Sequence, residues 1–370
     1  MSAHETSIEV LKAGLLDSVQ DLGRPGQARI ALSRGGAMDR AAMTLANALV
    51  GNAPTAAGLE ITGPGPTLRL RCDVWLATVG ARHALVRLPG EHGGSTVALP
   101  TGRPVFVAAG SVLRWHAPPV GWRSWIAVAG GLALPQVLGS RSAHLASGIG
   151  PARLETGRVL QLDPRVVALS HRRAAVVLGP PDADADADAD ATPAWGRVAP
   201  RWAVTEDLPR EWPLIELPVL AGRHLDVLPA AARDALFDQD WTVGAQSNRQ
   251  GLRVHGRALD TRGLPQLASE PVSVGTVQLP PAGEPVILLA EHQTTGGYPR
   301  ILEVASAAEP LLAQAGAGCR IRFRLVGLDE ADELARRRAR ELELRLAGVR
   351  QACPYPVDPA DPADPSLPID

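Results

Sequence analysis

Lysine is almost missing from this chain. Lys and Arg together number 37 in 370 residues, and Lys12 is the single lysine among them. A lysine-bearing phosphate loop is excluded, and the spacing GxxxxGK[ST] does not occur. Cysteine is scarce: Cys72, Cys319 and Cys353 are scattered without a CxxC pair, which argues against a disulfide framework and a thiolate zinc site. Neither HExxH nor GxSxG is found. No run approaches the roughly 20 apolar residues of a membrane span. The opening MSAHETSIEV lacks the basic-then-apolar pattern of a secretory leader, so a soluble cytoplasmic protein is expected. The formal net charge of -2 gives no global field favouring nucleic acid or a membrane.

What the chain does have is apolar content of 45%, enough to bury a sizeable core, in a length that favours two domains. Its 37 glycines and 33 prolines punctuate short β-type runs at 8–11, 67–70, 74–79, 104–108, 124–128, 286–289 and 320–326. Many short strands between turn residues point to β-barrels or sandwiches. Helical patterns are few. MDRAAMTLANALVGN (38–52) sets Met38, Ala42, Leu45, Ala46 and Leu49 on one face, with Gly51 at a C-cap position. LPAAARDALF (228–237) is a second candidate. DEADELARRRARELELRL (329–346) is the clearest, its acidic and arginine residues spaced i,i+4 on a solvated face. The alternating Asp-Ala run within 180–193 and the Pro/Asp-rich segment after Ala352 have little to bury and are expected to be disordered or mobile. A weak echo relates VQDLGRPG (19–26) to AQSNRQG (245–251), and the segments after each follow in the same order, as two related β-domains would.

Three constellations could carry chemistry. In DSVQDLGRPGQARIALSRGGAMDR (17–40), Asp21 and Arg24 are spaced for an ion pair in a glycine-turned loop. Gly35 and Gly36 directly precede a helix start, where backbone N–H groups can hold an anion. Asp39 would compete for those donors as a first-turn carboxylate, so a tight turn leading into a helix explains this stretch equally well. In EHQTTGGYPR (291–300), the bland reading is a hairpin in which Gly296 and Gly297 supply positive φ. The functional reading is a substrate clamp. Glu291 and His292 could be acid or base; Gln293, Thr294 and Thr295 could bond an amide or carboxylate; Gly296, Gly297 and Tyr298 complete the cluster. In SNRQGLRVHG (247–256), Arg249 and Arg253 would face one side of an extended strand as carboxylate or phosphate binders, or be ordinary surface arginines. GPGPTL (63–68) lacks a strand–helix frame, and His83, Glu91 and His92 lack metal-ligand spacing, so no metal site is expected.

Five stretches, in order, carry a family resemblance: IEVLKAGLLDSVQDLGRPG, GGAMDRAAMTLANALVGN, WIAVAGGLALPQVLGSRS, NRQGLRVHG and VQLPPAGEPVILLAEHQTTGGYPRILEV. They resemble the family of the 5-oxoprolinase C subunit, also called allophanate hydrolase subunit 2, the KipI-antagonist family or the biotin-dependent carboxyltransferase A/B-subdomain family. The resemblance runs from about residue 8 to residue 335. It implies a mainly-β fold of two tandem cyclophilin-like β-barrels, placed at 8–179 and 195–328; the residues themselves add an Asp/Ala-rich disordered linker or loop (180–194), which looks like an insertion peculiar to this chain, a C-terminal helix (329–347) and a Pro/Asp-rich tail (348–370). It implies ATP-dependent opening of 5-oxoproline to glutamate beside a KipI-like B subunit (allophanate hydrolase subunit 1) and a third subunit. Alternatives are a carboxyltransferase acting on a small amide such as urea, with biotin on another chain, and a regulator that only binds its partner. Within the first reading Asp21 and Glu291 orient or deprotonate, Arg24 and Arg249 hold a carboxylate, and Gly36, Gly296 and Gly297 offer backbone donors. The chain departs from the family where relatives read ADRQTTGGYP and DRMGYR: it has Glu291, His292 and Asn248. If those positions touch substrate charge, a different substrate is expected.

Overall fold

The computed structural model describes residues 6–81, 84–87, 96–178, 199–204, 214–262, 264 and 267–355. The Asp-Ala run, the tail beyond Tyr355, and His83, Glu91 and His92 lie outside them. The first half contains β1 (Ser7–Lys12), β2 (Ser18–Gln20), α1 (Arg40–Leu49), β3 (Gly58–Thr62), β4 (Thr67–Leu70), β5 (Val74–Gly80), β6 (Ala84–Arg87), β7 (Thr96–Ala98), β8 (Pro104–Val107), β9 (Val112–Trp115), β10 (Arg123–Val128), β11 (Val159–Gln161) and α2 (Val166–Leu178). The second contains β12 (Ile215–Ala221), α3 (Ala230–Phe237), β13 (Trp241–Val243), β14 (Gly251–His255), β15 (Glu270–Pro271), β16 (Thr276–Gln278), β17 (Val286–Leu288), β18 (Thr295–Gly296), β19 (Arg300–Val304), α4 (Glu309–Gln314), β20 (Arg320–Leu325) and α5 (Leu328–Ala352).

The fold is mainly β, with short helices and one long C-terminal helix. Seven strands of the second half close into a barrel in the order β12-β19-β16-β17-β14-β13-β20. The ring closes through a parallel pairing of β12 with β20, and its other pairings are antiparallel. The first half forms two sheets, β11-β1-β4-β9-β6-β7 and β2-β3-β10-β5-β8, which enclose one shared core.

The second of these sheets is a wall between two cores. Strand side chains alternate faces with period two. Val74 and Leu76 of β5, with Ile126 and Val128 of β10, enter the core between the two sheets. Trp75, Ala77 and Val79, with Trp125 and Ala127, enter a second core shared with α1, α2 and the barrel. Both strands are therefore buried along their whole length, and the halves are joined by apolar packing.

α1 lies on this wall. Its inward face is Ala42, Met43, Leu45, Ala46 and Leu49, and it stops at Gly51, which adopts φ +74°. Tyr355, just beyond α5, ties α5 down beside it: its hydroxyl donates to the Leu49 carbonyl at 2.6 Å and accepts the Trp75 indole N–H at 2.9 Å. A Cβ at Gly51 would strike that ring.

Candidate functional site

The segment before α1 and the segment after β17 meet. The Gly35 N–H donates to the Ala290 carbonyl at 3.1 Å. Behind this contact lies Arg249, whose guanidinium is engaged on every nitrogen. Nε donates to Glu291 at 2.6 Å, Nη2 to the Gly36 carbonyl at 2.5 Å, and Nη1 to Glu60. Glu60 sits in β3 and is completely buried. Its other oxygen accepts the Met38 N–H at 2.7 Å and the Trp125 indole N–H at 2.9 Å. Arg123 lies 3.7 Å from Glu60. It is anchored by donation to the Ala313 carbonyl at 2.7 Å, and Gln314 accepts its backbone N–H.

Desolvation disfavours every charge here, so each must be matched. Burial works against the charge on Arg249, but Glu60 and Glu291 outweigh it and its pKa rises. Burial lowers Arg123 to about 10, with Glu60 opposing. Glu291 is closed on its second oxygen by the Ala146 N–H at 2.9 Å.

Arg24 is buried a short way off. Its Nη2 donates to the Ser142 carbonyl at 2.5 Å and its Nε reaches the Val137 carbonyl at 3.4 Å. Its Nη1 is buried without a hydrogen-bond partner. That nitrogen lies 3.6 Å from where a Cβ of Gly35 would stand, and the His144 ring lies 3.2 Å from the same point. His144 bonds the Ser33 hydroxyl through Nε2 and the Ser147 hydroxyl through Nδ1, both at 2.9 Å. Burial lowers its pKa, with Glu291 pulling the other way, which favours the neutral ring.

The other expected residues fall into place around this junction. Asp21 does not pair with Arg24; its carboxylate accepts the Gly23 N–H, the Ser140 and Ser142 hydroxyls and the Arg141 N–H, at 2.5 to 2.8 Å. It organises the 137–142 loop from which Arg24 is held. Asp39 caps α1, accepting the Ala42 N–H at 2.9 Å. Arg249 and Arg253 do not share a face: Arg249 precedes β14 and is buried, whereas Arg253 within β14 is exposed. Burial also lowers His292, whose Nδ1 sits 2.6 Å from the Gln293 carbonyl. Gln293 donates to Gln278 at 3.0 Å, and the Thr294 carbonyl accepts the Val272 N–H at 3.0 Å.

Gly296 and Gly297 are not in the positive-φ region. Thr295 and Gly296 form β18 against β15, and a Cβ at Gly296 would collide with the Gln278 amide. A Cβ here would have to displace the end of the Gln278 side chain, so glycine is favoured by space and not by φ. Gly297 and Tyr298 line a separate cavity of about 360 Å³ with Leu264 and Leu279.

Sequence reasoning missed Glu60, Arg123 and His144. A usable signal exists for the first two. GLEIT and RSWIAV are apolar strands each carrying one charge, and a charge in a strand buried on both faces needs a partner.

Two guanidinium nitrogens at this junction are buried without a hydrogen-bond partner, Nη1 of Arg24 and Nε of Arg123, and the second faces Glu60 at 3.7 Å. Asp39 already occupies the N-terminus of α1, so the Gly35–Gly36 junction does not fit a phosphate chain. No group of three metal-ligating side chains occurs among the described residues, and no described helix is long and apolar enough to cross a membrane.

A family model described as the carboxyltransferase domain, subdomain A and B, matches residues 30–325. The chain is 33% identical to the C subunit of 5-oxoprolinase from Escherichia coli over 325 residues, covering 88% of this chain and 93% of that protein. It is 30% identical to the Haemophilus influenzae 5-oxoprolinase C subunit over 336 residues, covering 89% and 94%. The crystal structure of the K. lactis urea amidolyase superposes with TM-score 0.74 at 24% identity, covering 93% of this chain but 20% of the amidolyase chain. That last likeness is one of fold.

Proposed function

The chain belongs to the carboxyltransferase subdomain A and B family, and on that premise we propose that it is the C-type subunit of an ATP-dependent amide hydrolase opening 5-oxo-L-proline to L-glutamate. It works beside a KipI-like B subunit and a third subunit. The observation that carries this reading is the likeness to the 5-oxoprolinase C subunits along nearly their whole length.

The substrate class suits the junction. 5-Oxoproline carries a carboxylate and a ring amide. The free Nη1 of Arg24 beside Gly35 is the natural seat for the carboxylate, as a charge-assisted hydrogen bond in a site of low dielectric. Arg249 is a positioning residue. With all its nitrogens engaged it holds no ligand itself, but fixes Glu291 and the Gly36 carbonyl around the seat. Neutral His144 lines the seat without adding charge. ATP supplies the activation that an unreactive amide carbonyl needs. Asp39 already fills the N-terminus of α1, and we assign nucleotide binding to a partner chain. The contribution of this chain to catalysis then consists of binding and orientation.

Co-expression with the B-type partner and the third subunit tests the reading by assay of ATP-dependent glutamate release from 5-oxoproline. Arg24→Gln should lower turnover by about 100-fold, the scale of losing one oriented charged donor, while the three chains still co-purify. A stable complex that releases no glutamate contradicts the reading. A second reading, transfer of a carboxyl group from a biotinylated partner to urea, is favoured by the family description. It predicts urea-dependent discharge of a carboxylated biotin carrier by the same complex.

A further inference from the structure

His144 stands at the junction without pairing with any of its charges. Its ring is buried, and both nitrogens are engaged by hydroxyls: Nε2 by Ser33 and Nδ1 by Ser147, each at 2.9 Å. The two hydroxyls differ in their access to water. Ser33 is only 4% exposed, whereas Ser147 lies at the surface. A file of three side chains therefore runs from solvent to the buried segment that leads into Gly35.

The outer end of this file is fixed. Residues 144–149 form a tight turn in which the His144 N–H donates to the Ile149 carbonyl at 2.8 Å, and the Ser147 and Ile149 N–H groups return to the His144 carbonyl at 3.2 and 3.3 Å. The Ala146 N–H ties the same turn to Glu291. The inner end reaches the Arg24 seat. The ring atom 3.2 Å from a Gly35 Cβ is Cδ2, the carbon bonded to Nε2, and the unpartnered Nη1 of Arg24 lies 3.6 Å from that point.

A hydroxyl both gives and takes a proton, and a neutral imidazole does the same through its two nitrogens. An imidazolium has two donors and no acceptor, so it cannot pass a proton on. Burial opposes the charged ring most, Glu291 works the other way, and Arg24 and Arg249 reinforce burial.

We propose that Ser147, His144 and Ser33 form a proton relay from solvent to the Arg24 seat, serving the nitrogen released when the amide opens. The inference rests on the proposed reaction and adds proton supply to binding and orientation. With the carboxylate of 5-oxoproline at Arg24, the ring nitrogen stays near, because it is bonded to the carbon that bears the carboxylate. After a water oxygen has bonded to the ATP-activated amide carbon, the carbon–nitrogen bond breaks and its electron pair goes to nitrogen. One proton then moves from Ser33 Oγ to nitrogen, one from His144 Nε2 to Ser33, one from Ser147 to His144 Nδ1 and one from solvent to Ser147. The proton lost by the attacking water balances the one taken up.

kcat and KM for 5-oxoproline, measured in the assembled three-chain enzyme with melting temperature and gel filtration as checks of fold, test this. His144→Gln should lower kcat about 100-fold and leave KM within about threefold. Ser147→Val places a methyl group where the outer hydroxyl stood and should lower kcat about tenfold or more. Ser147→Thr, of the same shape but with the hydroxyl restored, should stay within about twofold of the parent. Equal kcat in the Val and Thr variants, a loss confined to KM, or parental kcat in His144→Gln would overturn the relay. If Arg24→Gln is impaired while Ser147→Val is not, the relay alone falls. A parent complex without turnover overturns the relay together with the reaction it serves.

Discussion

Arg249 concentrates the physics of the junction in one residue. Three of its nitrogens reach groups from three separate parts of the chain: Glu60 in β3, Gly36 before α1, and Glu291 after β17. Removing one member of a buried charge network leaves its partners uncompensated, which costs about 3–5 kcal/mol. Arg249→Met is therefore expected to lose that much stability in urea unfolding, whereas Arg253→Met on the exposed face of β14 should stay within about 0.5 kcal/mol of the parent. Equal effects of the two would mean that the network carries no net weight. Arg249 and Glu291 stand out in the sequence, but the protein groups they bond are not legible there. Spacing could not show that Arg249 is consumed by protein groups, because Glu60 lies 189 residues away in sequence. Nor could it show that Asp21 is taken by Ser140 and Ser142 across a loop. That Nη1 of Arg24 lacks a hydrogen-bond partner is visible only in the fold.

At the scale of elements, the strands and the longer helices were readable because their apolar periods are long enough to see. All seven β-type runs named from sequence became strands, and the 38–52 and 228–237 patterns became α1 and α3. α4 escaped because it is a six-residue helix with Pro310 in its first turn. α2 escaped because VVALSHRRAAVVL begins and ends in β-branched residues that suit a strand as well. α1 owes its start to Asp39, so Asp39→Ala should cost about 1 kcal/mol in thermal unfolding. A second expectation concerns the β1–β2 turn. Asp17 is buried there and accepts the Gly14 and Thr62 N–H groups at 3.0 and 3.2 Å. Burial raises its carboxyl to about 7. A pKa raised above the unfolded value favours the neutral form in the folded state. The stability it contributes is full below about pH 4 and is lost as pH rises through about 7. Melting temperature measured from about pH 5 to pH 8 should fall more steeply in the parent than in Asp17→Asn. Identical slopes would contradict the assignment.

On the scale of the whole molecule, the two halves are joined by apolar packing and by buried polar contacts. The wall sheet carries an apolar core on each face, and the Glu60–Arg249–Glu291 bridge crosses from one half to the other through fully buried charges. The mainly-β architecture could be read from composition and turn residues. That one half closes into a barrel while the other is a pair of sheets could not, since closure depends on which strands β12 and β20 find, and they lie about a hundred residues apart. The joining of the halves is what sets Arg24, from the first, beside Gly35 and the Ala290–Glu291 segment of the second. The most direct measurement is steady-state turnover of 5-oxoproline by the assembled three-chain enzyme carrying Arg24→Gln, with assembly checked by gel filtration. Loss of about 100-fold in turnover with the assembly intact is predicted. Turnover within about twofold of the parent would show that the junction of the two halves is not where substrate is held.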